Sequence, residues 1–127
     1  KKKLSYIGFG GKGHQVRDII HINDVCSIIL LQIKKIKKIY NLTLNIGGGF
    51  KNYTSLKNLT NKCVELTGNK IFIKEDKRTS NYDIPYYITN NNKVFKTYGW
   101  RPTANLDKTL KDIYSWLINN DMKDYFK

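Results

Sequence analysis

Gly11-Lys12-Gly13-His14-Gln15-Val16-Arg17-Asp18-Ile19-Ile20-His21-Ile22-Asn23-Asp24-Val25 is the most informative stretch of this 127-residue chain. It closes a glycine-rich loop, residues 8–15, and leads into an extended run over 16–22 that is rich in β-branched residues. Asp24 then offers an N-cap for a helix over 24–33. Glycines let a backbone approach a ligand closely. Arg17 can grip phosphate oxygens with two parallel bonds. Asp18 can hold that guanidinium, and His21 can support either residue. The plainer reading is a turn, a surface arginine and a core histidine, and the residues alone leave both open.

Outward from this stretch, the helix over 24–33 carries Val25, Ile28, Ile29, Leu30, Leu31 and Ile33. They cover most of its circumference, the pattern of a helix buried on several sides. Residues 34–38 are mostly lysine and read as a solvated helix end near the terminal carbonyls. Residues 42–46 read as a buried strand running into Gly47-Gly48-Gly49. Residues 50–53 separate these glycines from the next helix, so they read as a turn and not as the pyrophosphate cradle of a dinucleotide fingerprint. Thr54 or Ser55 caps that helix, whose face is Leu56, Leu59, Cys63 and Leu66, and Gly68 stands at its left-handed end. A short strand is expected over 71–73. Asn90 or Asn91 caps a helix with Val94, Phe95 and Tyr98, closed by Gly99, and Pro102 prevents its continuation. A last helix over 105–120 has the stripe Leu106, Leu110, Ile113, Tyr114 and Leu117. The tail 121–127 is expected to fray. The alternation of strands and helices gives an α/β class with about four helices and few, short strands.

The net charge is +13, from 23 basic and 10 acidic residues. Nearly all the basic residues are lysine, and with the abundant Asn and Ile this fits a biased base composition as well as a polyanion surface. Cys26 and Cys63 are distant in sequence and form no C-x-x-C, so no zinc or redox motif is present. Both lie on apolar helix faces, where buried thiols and a reducing cytoplasm are expected. No apolar run is long enough to span a membrane, and no signal peptide follows Lys1.

The pattern G-K-x-x-Q-V-R-D-x-x-H-x-x-D resembles a segment in the C-terminal half of extended short-chain dehydrogenases that act on nucleotide sugars. The later stretches agree in order. Leu44-Asn45-Ile46-Gly47-Gly48-Gly49 resembles the family's N-x-G-G-G strand end. The stretch from Asp83-Ile84-Pro85 to Lys93-Val94 resembles the segment closing the sugar-nucleotide pocket, and Gly99-Trp100-Arg101-Pro102 resembles the turn before the last helix. The details G-F-G-G-K-G-x-Q-V-R-D and D-I-P-Y-Y-I-T look most like the CDP-paratose 2-epimerases, also called CDP-tyvelose epimerases. The resemblance covers the chain from about Gly8 to Asn120.

This resemblance implies that residues 1–127 are the nucleotide-sugar-binding portion of an NAD-dependent epimerase, incomplete without an N-terminal Rossmann sheet. Arg17 then matches the strand arginine on the nucleotide diphosphate, with Lys12 and Gln15 in the loop near the nucleotide. Arg78 and Asp83 occupy the region of the family's R-x-x-D, at a longer spacing. The parent would be an isomerase of cytoplasmic carbohydrate biosynthesis, such as that of lipopolysaccharide. It would oxidise the sugar transiently at C2 with NAD and return the hydride to the other face. Its substrate would be CDP-linked, and the resemblance allows a homo-oligomer. The NAD site and the catalytic Tyr-x-x-x-Lys belong to the family's N-terminal half. Tyr53 and Lys57 match that spacing formally, but they sit at a helix start in a segment that already matches another part of the family. No catalytic, cofactor or metal residue is therefore assigned here, and the chain alone is expected to be inactive. A dehydratase or another epimerase of the superfamily is the alternative. A small basic nucleic-acid-binding module is disfavoured, because the aromatics do not line up beside a basic stripe.

Overall fold

The computed structural model describes residues 3–120; the tail expectation for 121–127 lies outside them. In chain order the elements are β1 (Ser5–Ile7), β2 (Val16–Asp18), α1 (Ile22–Lys35), β3 (Tyr53–Ser55), α2 (Leu56–Thr67), β4 (Lys74–Asp76), α3 (Asn92–Tyr98) and α4 (Leu106–Asn119). Short 3-10 turns occupy Phe9–Gly11 and Gly49–Lys51. This is a small α/β arrangement of four helices and a few three-residue strands. The described residues divide into two compact units: residues 3–15, 55–85 and 107–120 form the first, and residues 16–54 and 86–106 the second.

In the first unit β1 and β4 pair in parallel, with Ser5 opposite Lys74 and Ile7 opposite Asp76. The Ser55 hydroxyl accepts from Asn58 N at 3.1 Å and so caps α2. Gly68, at φ 70°, ends that helix and donates its N–H to Val64 O at 2.8 Å. The Tyr6 hydroxyl donates to Thr60 Oγ1 at 2.8 Å and ties β1 to α2. The apolar run over 71–73 forms no strand; the ladder falls on Lys74–Asp76 instead. Three residues cannot announce themselves by periodicity, so β1 chooses the register.

In the second unit β2 and β3 pair. Its core is Ile28, Val94, Tyr98 and Trp100, with Ile20, Leu31, Ile39, Leu44 and Ile46 packed against them. Two expectations are corrected here. Only Val16–Asp18 of the run 16–22 is strand, since α1 begins at Ile22. Residues 42–46 form no strand, because a strand requires a ladder partner and none is present among the described residues. Leu44 and Ile46 still pack against the core. Cys26 is exposed and Cys63 half-buried, so the expected burial of both thiols does not hold. Among the described residues no helix is long and apolar enough to cross a membrane.

Candidate functional site

The loop 8–15 is fixed to the end of the β1–β4 pair. Gly8 N donates to Asp76 O at 2.8 Å, and Phe9 N to Thr79 Oγ1 at 2.9 Å. Gly11, at φ +70°, must be glycine: a Cβ there would lie 2.7 Å from Asp76 N. The loop ends at Gln15, whose side chain is 5% exposed. Its amide N–H donates to Ile7 O, and its Oε1 is buried without a partner.

Gln15, Asp83 and the backbone of Arg78 converge on Gly8. A Cβ at Gly8 would lie 3.2 Å from Gln15 Nε2, 3.4 Å from Asp83 Oδ2 and 3.6 Å from Arg78 O. The Arg78 side chain does not pair with Asp83 here. It forms a forked ion pair with Asp76, Nη2 to Oδ2 at 2.5 Å and Nε to Oδ1 at 3.0 Å. The hydrogen-bonded guanidinium holds the Asp76 carboxyl down to about 2. Because the Arg78 side chain is 88% exposed, this pair is worth little in water and leaves the guanidinium free to exchange partners. Lys12 is placed differently. It lines a cavity of about 500 Å³ together with Tyr6, Lys57, Thr60 and Lys70.

Arg17 stands on β2 in the second unit and donates Nη1 to Val16 O at 2.7 Å. The neighbouring Asp18 carboxylate accepts from Gly49 N at 2.8 Å and from Thr89 Oγ1 at 3.2 Å. Asn91 brackets Gly47, accepting from its N–H at 3.1 Å and donating to its carbonyl at 2.9 Å. Asp18 and Asn91 thus bind the three-glycine turn to β2 and to the start of α3. The spacing in sequence gave no sign of this clamp. A Cβ at Gly47 would lie 2.3 Å from Thr89 Oγ1, and one at Gly48 would lie 2.1 Å from Ile19 O. With the Gly47 and Gly49 N–H groups bonded to Asn91 and Asp18, the turn has no row of free donors for a dinucleotide phosphate. These glycines do not fit NAD, and no group of three or more metal-ligating side chains occurs among the described residues.

The capping role expected of Asp24 falls to His21. His21 is the N-cap of α1, its Nδ1 accepting from Asn23 N at 3.0 Å. Asp24 is 3% exposed and accepts from Thr103 N, Thr103 Oγ1 and Ala104 N at 3.0, 2.8 and 3.1 Å. It anchors the segment after Gly99-Trp100-Arg101-Pro102 onto α1. A capping histidine escapes sequence reading because Asp is the commoner cap.

No protein-family model matches the chain. Among curated proteins, a CDP-paratose 2-epimerase of Salmonella typhi is 25% identical over 111 residues, covering 84% of this chain and 31% of that protein. Among solved structures, the UDP-glucuronic acid 4-epimerase of Bacillus cereus, in complex with UDP-glucuronic acid and NAD, superposes with a TM-score of 0.77. It is 21% identical, and the match covers 93% of this chain and 36% of that one. The dTDP-glucose 4,6-dehydratase of Bacillus anthracis, in complex with NAD, gives a TM-score of 0.71 at 25% identity, over 89% of this chain and 34% of that one. The chain resembles the C-terminal part of the NAD-dependent nucleotide-sugar epimerases and dehydratases. It spans about a third of each of these epimerase and dehydratase chains. Its four helices and short strands match the C-terminal part of extended short-chain dehydrogenases.

Proposed function

We propose that this chain is the nucleotide-sugar-binding portion of an NAD-dependent epimerase that interconverts CDP-paratose and CDP-tyvelose at sugar C2. The observation that carries this reading is the arginine of Q-V-R-D on β2, in a chain matched over most of its length by a CDP-paratose 2-epimerase. Arg17 would grip the diphosphate, and a planar guanidinium suits two phosphate oxygens at once. Lys12, Gln15, Arg78 and Asp83 complete the proposed set. Gln15 would act by holding the end of β1, and Arg78 would exchange Asp76 for phosphate. Two arginines can neutralise a doubly charged diphosphate and fix its register.

NAD would be held by residues outside this chain, since the Gly47 and Gly49 N–H groups are already taken by Asn91 and Asp18. The catalytic acid/base would come from the same outside part. Tyr53 on β3 and Lys57 in the first turn of α2 have separate structural places and are assigned no chemistry. Arg17→Ala in the full-length gene product should weaken nucleotide-sugar binding by about 2–5 kcal/mol, the range for stripping one partner from a buried charge pair. Calorimetric titration with CDP-paratose checks it. Unchanged affinity would overturn the assignment of Arg17, and the absence of CDP-tyvelose among the products would overturn the choice of sugar.

A further inference from the structure

We propose that the cleft beside Gly48 and Gly49 binds a small aromatic acid, a planar ring carrying one carboxylate. The cleft lies wholly within the unit of residues 16–54 and 86–106 and encloses about 270 Å³. That is just below the roughly 300–1,000 Å³ of sites for drug-sized ligands, so it suits one or two rings. Its walls include Phe50, Lys51, Asn90, Asn92, Phe95 and Arg101, and no carboxylate is among its lining residues. Arg101 lies over the Phe95 ring with its Cζ 3.8 Å from the centroid. Stacking fixes the plane of the guanidinium and leaves its edge N–H groups for a bidentate acceptor.

Among the described residues no acidic side chain pairs with Arg101. Asn90 Oδ1 is taken by Asn92 N at 2.9 Å, so the Asn90 amide presents its N–H₂ as a donor. Phe50 is 76% exposed, a large ring whose burial against a second ring is favourable. Cations, an amide donor and aromatic surface within one lining select a ligand that is at once flat, apolar and anionic.

The test is calorimetric titration of the full-length gene product with 4-hydroxybenzoate, with acetate and 4-hydroxybenzyl alcohol as single-feature controls. The acid should saturate one site per chain and bind about tenfold or more tightly than either control, the increment of a charge-assisted pair. Arg101→Gln should weaken it by about tenfold or more, and Phe50→Ala should weaken it too. Arg17→Ala should leave it unchanged, which separates this cleft from the proposed nucleotide site. If Arg101→Gln fails to fold, Phe50→Ala decides the matter alone. The proposal is overturned if binding does not saturate, if the controls bind equally well, or if binding survives both cleft variants. It is also overturned if Arg17→Ala abolishes binding, which would place the acid in the nucleotide site.

Discussion

A buried carboxylate is tolerated only when donors replace its water, and Asp24 has three within 3.1 Å. Burial alone pushes its pKa upward, but the bonds from Thr103 N, Thr103 Oγ1 and Ala104 N, with His21 nearby, together bring it below the ordinary carboxylate value of 3.8. A depressed folded-state pKa means stability that is present above the unfolded value and lost as pH falls through the folded one. Stability should therefore decline from about pH 4 downward, and Asp24→Asn should flatten that decline. Asp24→Ala should cost about 3 kcal/mol at neutral pH, since it strands buried donors. Denaturant unfolding of the full-length gene product at pH 7 and pH 3 checks both. A variant as stable as the parent would show that the anchor is dispensable. The sequence offered Asp24 as a cap because Asp followed by a hydrophobic run is a common helix start. The true partner lies 79 residues away, beyond any local pattern. Arg17 and Asp83 could be named from the sequence as polar residues of their segments, whereas the pairing of Arg78 with Asp76 could not be read there.

Elements whose ends are set by their own residues were readable. Ser55 and Gly68 bound α2, and Gly99 closes α3 at φ 71°, because caps act within one turn. Elements set by a partner were not: β1, β3 and β4 are three residues each, and residues 42–46 have strand composition without a strand to pair with. The helix α1 shows the same dependence. Ile28 is 1% exposed, yet Ile22, Leu30 and Ile33 are each more than 60% exposed, and Ile29 and Cys26 are exposed beside them. Spaced by three, four and seven residues, these positions share a face with no cover among the described residues. If that face packs on further sequence of the protein, as the proposed function requires, one charge should act oppositely in two contexts. Ile33→Lys should reduce aggregation of the isolated chain, measured by light scattering, and should lower the melting temperature of the full-length gene product. A charge tolerated in both contexts would mean that α1 faces water in the whole protein.

At the scale of the molecule the burial is uneven. Among the described residues the buried apolar ones, Ile28, Val94, Tyr98, Trp100, Ala104 and Leu106, all belong to the second unit. In the first unit α2 has no buried residue, and α4 leaves Ile113, Trp116 and Ile118 more than half exposed. Buried apolar area is the main favourable contribution to folding, set against about 1–2 kcal/mol of backbone entropy for each residue fixed. The first unit therefore has little to oppose that loss beyond caps, the Tyr6–Thr60 bond and exposed ion pairs such as Lys62–Asp107, which are weak in water. A net charge of +13 adds self-repulsion that low salt leaves unscreened. The chain taken by itself should consequently melt without one cooperative transition. Hydrogen exchange should show the amides of α3 and the buried turns of α1 protected longer than those of α2 and α4, with the contrast greatest at low ionic strength. Uniform protection across both units, with a single sharp transition in a monomer, would mean that the first unit draws stability from a source other than buried apolar surface.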